Sequence, residues 1–353
     1  MPNSTAYGFM SIKDLFVERV ADNLTVVGTA IADSIAEYQR EMDAMLSILI
    51  KPTTDYSIRY QLPGSGTLQP LDQNSNPLPT LPSGFYDIAF PIQGAGTAWG
   101  NNRITRALMT VADANRFTLS VMNADMDWMA RHILASVFTN TSWSYVDDDH
   151  GTLTIQPLAN GDSVLYTRKG GTSSIDNHYL AQAAVIADAT NPYDDIYDEL
   201  SEHPSNSGPF VAYIPTALKA TTMALTNFIE IGDPDIQLGT DVSTIRGSIG
   251  AGFGDMVLGK TDNMWIVEWK RLPADIIVAV AQGSDPVIGM RQYPAAALQG
   301  LFPEFQDIDG GRHLHKFLRY CGFGVMNRVG MVVQRIGNAS YAIPTSYVAP
   351  LSV

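Results

Sequence analysis

Residues 103–138 read RITRALMTVADANRFTLSVMNADMDWMARHILASVF, with no proline and no glycine. Leu108, Val111, Leu119, Met122, Met126, Met129, Ile133 and Val137 recur at helical spacing and form one apolar stripe. Asn115 is the polar intruder on it, while Asp113, Arg116, Asn123, Asp127 and Arg131 point elsewhere. A helix of this length spans about 50 Å at about 1.5 Å per residue, against about 11–12 residues for an average helix. One stripe along such a rod needs a broad surface to lie on. Alone it fits a helix bundle; the flanking sequence points elsewhere.

Upstream, residues 11–50 carry a second amphipathic pattern: Val17, Val20, Leu24, Val27, Ile31, Ile35, Tyr38, Met42, Met45 and Leu49. Ser11 with Asp14 suits its start, and Gly28 with Thr25-Val26-Val27 weakens it locally. It reads as a core helix or as an arm lying across a neighbouring subunit. Residues 51–100 are proline-rich and poor in charge. Tyr56, Ile58, Tyr60 and Leu62 alternate with polar residues, as do Tyr86, Ile88, Phe90 and Ile92, so each run predicts a strand with one apolar face. The connection Pro63–Phe85 far exceeds the 2–5 residues of a compact hairpin. A projecting two-stranded hairpin is marginal in water, so it needs another surface, and a neighbouring copy is the natural one.

Downstream, Leu153 and Ile155, the turn Asn160-Gly161-Asp162 and Val164 to Tyr166 predict a hairpin. Pro192 opens a helix through His203, Phe210 to Ile214 is a buried strand, and Pro215 opens a helix through Phe228. Met256 to Leu258, Trp265 to Val267 and Ile276 to Val280 are short apolar strands. Residues 190–290 therefore read as a compact α/β unit. Phe317 to Cys321, Val325 to Val333 and Ser340 to Ile343 are strand-like.

The 353 residues suffice for two ordinary domains or one elongated one. Only 16% are charged, against a usual share of about 25%, which suits a surface partly covered by other protein. The net charge of −14 and the lack of a basic run argue against a nucleic-acid-binding surface. An acidic shell is useful beside DNA only if the DNA must not stick. Cys321 is alone, so no intramolecular disulfide forms. No signal peptide and no run of about 18 apolar residues is present, so no membrane partner is expected.

Few residues suggest chemistry. Gly254 to Thr261 matches the phosphate-loop pattern G-x-x-x-x-G-K-T, yet Met256-Val257-Leu258 favours a strand and no helix follows, so the mechanism of that motif lacks its scaffold. Asp147-Asp148-Asp149-His150 has cation-binding chemistry but reads as a solvated turn. His313 and His315 share a strand face without a third ligand. His203 sits at a helix end, where a cation suits the dipole. No catalytic, cofactor or metal site is expected.

The order of pieces resembles the major capsid proteins of tailed bacteriophages, the Hong Kong 97-type fold. Local similarity to a siphophage-like subgroup lies in DDDHGTLTIQPLANGD, DNHYL, NPYDDIYDELSEH, WIVEWKRLPADIIVAVAQGSDPVIGMRQYP and LRYCGFGVMNRVGMVVQRIGNASYAIP. The resemblance implies an α+β chain with an N-terminal arm (1–50), an E-loop (51–100), a peripheral domain with a spine helix (101–189), an axial domain (190–290) and a return to the peripheral domain (291–353). It implies self-assembly into pentamers and hexamers of an icosahedral head in the virion, built in the host cytoplasm, enclosing double-stranded DNA without sequence-specific binding. Portal, decoration or scaffolding proteins are the implied partners. Interface candidates are Tyr56, Ile58, Tyr60, Tyr86, Ile88 and Phe90 of the hairpin and Val17, Leu24 and Ile31 of the arm. The arm begins at once, so no cleaved, fused scaffold is expected. No lysine lies between Pro52 and Gly100, so no covalent E-loop crosslink is expected either. An encapsulin compartment shares the fold; an α/β nucleotide- or metal-dependent enzyme is the competing class.

Overall fold

The computed structural model describes residues 3–5, 8–10, 31, 33–40, 49–61, 71, 73, 75, 84–102, 104, 108–170, 172–231, 256–308 and 312–351. The spine helix runs Val111–Phe138, so it begins later than the proline-free stretch suggests. Thr110 stops it on the N-terminal side. Its hydroxyl accepts from Asp113 N at 3.3 Å, and Asp113 Oδ2 accepts from Thr110 N at 3.2 Å. Such a capping box satisfies two otherwise orphaned donors, and an N-cap side chain contributes about 1 kcal/mol.

The buried stripe is also rotated from the predicted one. It passes through Ala114, Thr118, Val121, Asp125, Met129, Ile133 and Val137. Leu108 and Leu119 are exposed, and Met122 and Met126 are only partly buried. Two polar residues lie in the stripe because each is satisfied there. Thr118 donates to Ala114 O at 2.9 Å, and Asp125 is ion-paired.

Two sheets organise the rest. A seven-stranded sheet has the order Tyr179–Gln182, Met331–Ile336, Ile276–Ala281, Phe210–Ile214, Met264–Glu268, Met256–Thr261, Phe228–Glu230. Ile276–Ala281 is buried along its whole length, as a central strand of a covered sheet must be. The helices Pro192–Ser201 and Thr216–Met223 accompany this sheet. The first is capped by Asn191, whose side chain accepts from Tyr193 N. The second ends at Met223, short of the expected Phe228, because Phe228–Glu230 pairs with Met256–Thr261 as a strand. This sheet draws the two strands at one of its ends, Tyr179–Gln182 and Met331–Ile336, from outside 190–290.

The second sheet has five strands: Leu301–Ile308, Arg312–Val325, Ile288–Gln292 and Ile50–Thr53 in order, with Gln93–Asn102 also paired to Arg312–Val325. The E-loop hairpin pairs Ser57–Gln61 with Phe85–Ala89, as its alternation predicted. The hairpin near residue 153 forms differently. Gly151–Ile155 pairs with Trp143–Asp147 across the acidic turn, and Tyr166–Thr167 pairs with Ser173–Ser174 instead. Residues 340–343 are not a strand.

In the arm, residues 33–40 are helical, and Ile31, Ile35 and Tyr38 join the main core beside Met129, Ile133 and Phe317. Residues 11–30, with Val17 and Leu24, lie outside the described residues. Among the described residues no helix is long and apolar enough to cross a membrane.

Candidate intersubunit elements and buried polar clusters

The E-loop stem is held by its own body. Tyr86, Ile88 and Phe90 are buried in a cluster with Ala159, Tyr166, Met326 and Val329, and Ile58 and Tyr60 pack against it. Tyr86 donates to Met326 O at 2.8 Å, and Tyr60 donates to Asp285 at 3.0 Å. These candidates are thus covered within the chain, as is Ile31 at 1% exposure. Tyr56 stays 42% exposed and stacks on His150 with ring centroids 3.8 Å apart. Phe85, under the Arg59 guanidinium at 4.3 Å, is exposed at the other end of the paired strands, opposite Gln61. The Arg59–Asp87 ion pair beside it is open to solvent, where such pairs contribute about 0–1 kcal/mol.

Three buried arginines, which the sequence reading did not single out, join these pieces. Arg319 places two nitrogens on Asp125 of the spine helix at 2.5 and 2.7 Å, and one on Gln39 of the arm at 3.1 Å. Tyr38 also donates to Asp125 at 3.0 Å, and burial, then the Asp125 charge, pushes its phenol upward. Arg291 bonds Phe90 O at 3.1 Å and Asp147 at 2.6 Å. Arg328 bonds Pro157 O at 2.7 Å, pairs with Asp162 at 2.7 Å, and lies over the rings of Tyr86 and Tyr166. Each guanidinium offers five donors in a rigid fork, so one side chain satisfies several elements at once.

The acidic run is therefore not wholly solvated. Asp148 and Asp149 are exposed, but Asp147 turns inward to Arg291 and accepts from the N–H groups of Asp149 and His150, both at 3.1 Å. Burial pushes its carboxyl up, but Arg291 and the two N–H groups outweigh this and hold it below the usual range. The Gly-Lys-Thr segment is a strand through Thr261, paired with Met264–Glu268. Gly259 serves packing there: a Cβ would meet Ile229 O at 2.1 Å. His313 and His315 lie on the strand Arg312–Val325. Cys321 is buried, and burial pushes its thiol up to about 12, so it is unreactive. His203 is buried rather than set at an open helix end. Among the described residues, it belongs to one of two groups with cation-binding donors, Asp176–His178–His203 and Asp176–Glu199–Glu202.

An arm, an E-loop hairpin, a spine helix and a mixed central sheet in this order make the Hong Kong 97-type capsid fold. A structure from Mycobacterium phage Patience superposes over 96% of this chain and 95% of its own, at TM-score 0.67 and 19% identity. A chain from the capsid structure of the cyanophage P-SCSP1u covers 82% of this chain and 86% of its own, at TM-score 0.50 and 9% identity. No protein-family model and no curated protein sequence matches the chain.

Proposed function

We propose that this chain is a shell-forming subunit, the major capsid protein of a tailed-phage head. In this reading it assembles into pentamers and hexamers, encloses double-stranded DNA without reading its sequence, and meets a portal and decoration or scaffolding proteins. Its place is the virion, and it has no catalytic role. The observation that carries the reading is the superposition on the Patience structure across nearly the whole of both chains. The hairpin supports it, because Tyr56 at one end of its paired strands and Phe85 at the other leave apolar surface for a neighbour to cover. Leu119 does the same on the spine helix. Of the candidate interface residues, Tyr56 is the best placed, and the arm positions Val17 and Leu24 remain candidates by pattern.

The axial unit corresponds to 190–290 together with the strands Tyr179–Gln182 and Met331–Ile336. In this reading the peripheral unit holds the rest of 101–189 and 291–353, and the E-loop proper ends before Gln93. Electron microscopy of the purified protein tests the proposal. Closed shells of uniform size are expected, and a stable lone molecule overturns it. Nuclease-protected DNA inside particles purified from the natural source separates a viral head from an encapsulin-type compartment, which would hold protein cargo.

A further inference from the structure

A buried cluster joins three parts of the chain. Asp176 and His178 lie just before the strand Tyr179–Gln182, His203 follows the helix Pro192–Ser201, and Met331 begins the strand Met331–Ile336. Asp176, His178 and His203 are all at least 97% buried, at 3%, 0% and 1% exposure. His178 Nδ1 lies 2.8 Å from Met331 O, and His203 Nδ1 lies 3.1 Å from Thr167 O. A carbonyl only accepts, so both Nδ1 atoms carry the hydrogen. Each neutral ring then presents a lone pair at Nε2.

Those lone pairs face one another. The two Nε2 atoms are 3.2 Å apart. Asp176 Oδ2 is 2.9 Å from His203 Nε2 and 4.0 Å from His178 Nε2, and the carboxyl groups of Glu199 and Glu202 stand beside Asp176. Three electron-rich atoms in a dry site repel unless positive charge lies among them. A four-coordinate zinc-class ion, with bonds of about 2.0–2.2 Å, sets its ligand atoms roughly 3.3–3.5 Å apart. The observed separations bracket that spacing. Backbone carbonyls on both Nδ1–H groups are the supporting contacts that orient metal-bound imidazoles. Glu202 Oε1 is 3.8 Å from His203 Nε2, but it pairs with Arg168 and groups with Asp176 and Glu199 rather than with the two histidines. Arg168 approaches from the other side, 3.4 Å from Asp176 Oδ1 and 3.0 Å from Glu202 Oε1. It does not reach Asp176 Oδ2.

We propose that Asp176, His178 and His203 bind one divalent transition-metal cation of the zinc class per subunit, with one position left for a further ligand. The ion staples the helix Pro192–Ser201 to the segment 166–178 and the strand Met331–Ile336. This is independent of the shell reading, since all the ligands lie in one chain.

The full-length protein is stripped with chelator, dialysed against zinc chloride and then against metal-free buffer, and its metal content is measured. One zinc per chain is expected, with a higher Tm than the stripped protein. His203→Gln should lose the metal and the zinc-dependent rise in Tm, whereas His150→Gln, at an exposed histidine, should keep both. Loss of a supporting contact alone weakens metal sites about 10–100-fold, so loss of a ligand should weaken binding at least that much. If His203→Gln does not fold, cobalt(II) loading of the wild-type protein decides: a four-coordinate visible spectrum at one equivalent supports the site. A stripped protein that takes up no zinc, or a variant that retains it, overturns the proposal. A single proton shared by the two imidazoles would then account for the cluster.

Discussion

Arg319→Met tests how the arm is joined to the spine helix. The substitution keeps much of the side-chain volume and removes the guanidinium. Asp125, 8% exposed, then keeps only the Tyr38 hydroxyl, and Gln39 loses its donor. Removing one partner of a buried ion pair costs about 3–5 kcal/mol, because the other charge stays in a dry site. The unfolding entropy is about 2.1 cal/mol/K per residue. Over 353 residues that is roughly 0.74 kcal/mol/K, so Tm should fall by about 4–7 °C. Scanning calorimetry on the unassembled subunit reads this directly. Asp125→Leu in the same chain removes the stranded carboxylate, and the double variant should recover most of the loss. A Tm within about 1 °C of wild type for Arg319→Met would refute the reasoning. So would a double variant as unstable as the two single losses added together.

Two other expectations concern the hairpin and its base. On the shell reading proposed above, deleting 63–85 should leave soluble subunits that fail to close into shells, because the long connection is gone while Tyr86, Ile88 and Phe90 still seal the body; normal particles by electron microscopy would reject the E-loop role. The folded Asp147 carboxyl is held below its usual range by Arg291 and two N–H groups. Its contribution is therefore complete above the unfolded carboxylate pKa and is lost as pH falls through the lower folded value. Asp147→Asn should flatten that acid limb of the stability profile; an unchanged limb contradicts the pairing.

Much of the architecture was readable because it follows from simple periodicity. The alternation Tyr56-Ile58-Tyr60 against Tyr86-Ile88-Phe90 gave the hairpin, and Pro192 gave a helix start that the structure bears out. The spine helix was legible, but its face was not. Thr118 and Asp125 break the apolar pattern, and only Arg319, far along the chain, explains why Asp125 is inside. The capping residues Thr110 and Asp113 were in view, yet a breaker-free run hid the boundary. The strand Gln93–Asn102 was missed because QGAGTAWGNN has no alternation. Its glycines answer to the partner strand: a Cβ at Gly94 would lie 2.8 Å from the Tyr320 ring, and one at Gly96 would lie 2.7 Å from Leu318. The histidine cluster stayed hidden because Asp176 and His178 meet His203 only through the fold. The acidic run drew notice for its charge, whereas its structural role rests on Asp147 alone.

The short strand Ile50–Thr53 separates the arm from the E-loop and is sewn in parallel to Ile288–Gln292. The two flanking segments thus start from opposite ends of one fixed stitch. An insertion on one side of it changes that segment's reach and leaves the other's origin and direction alone.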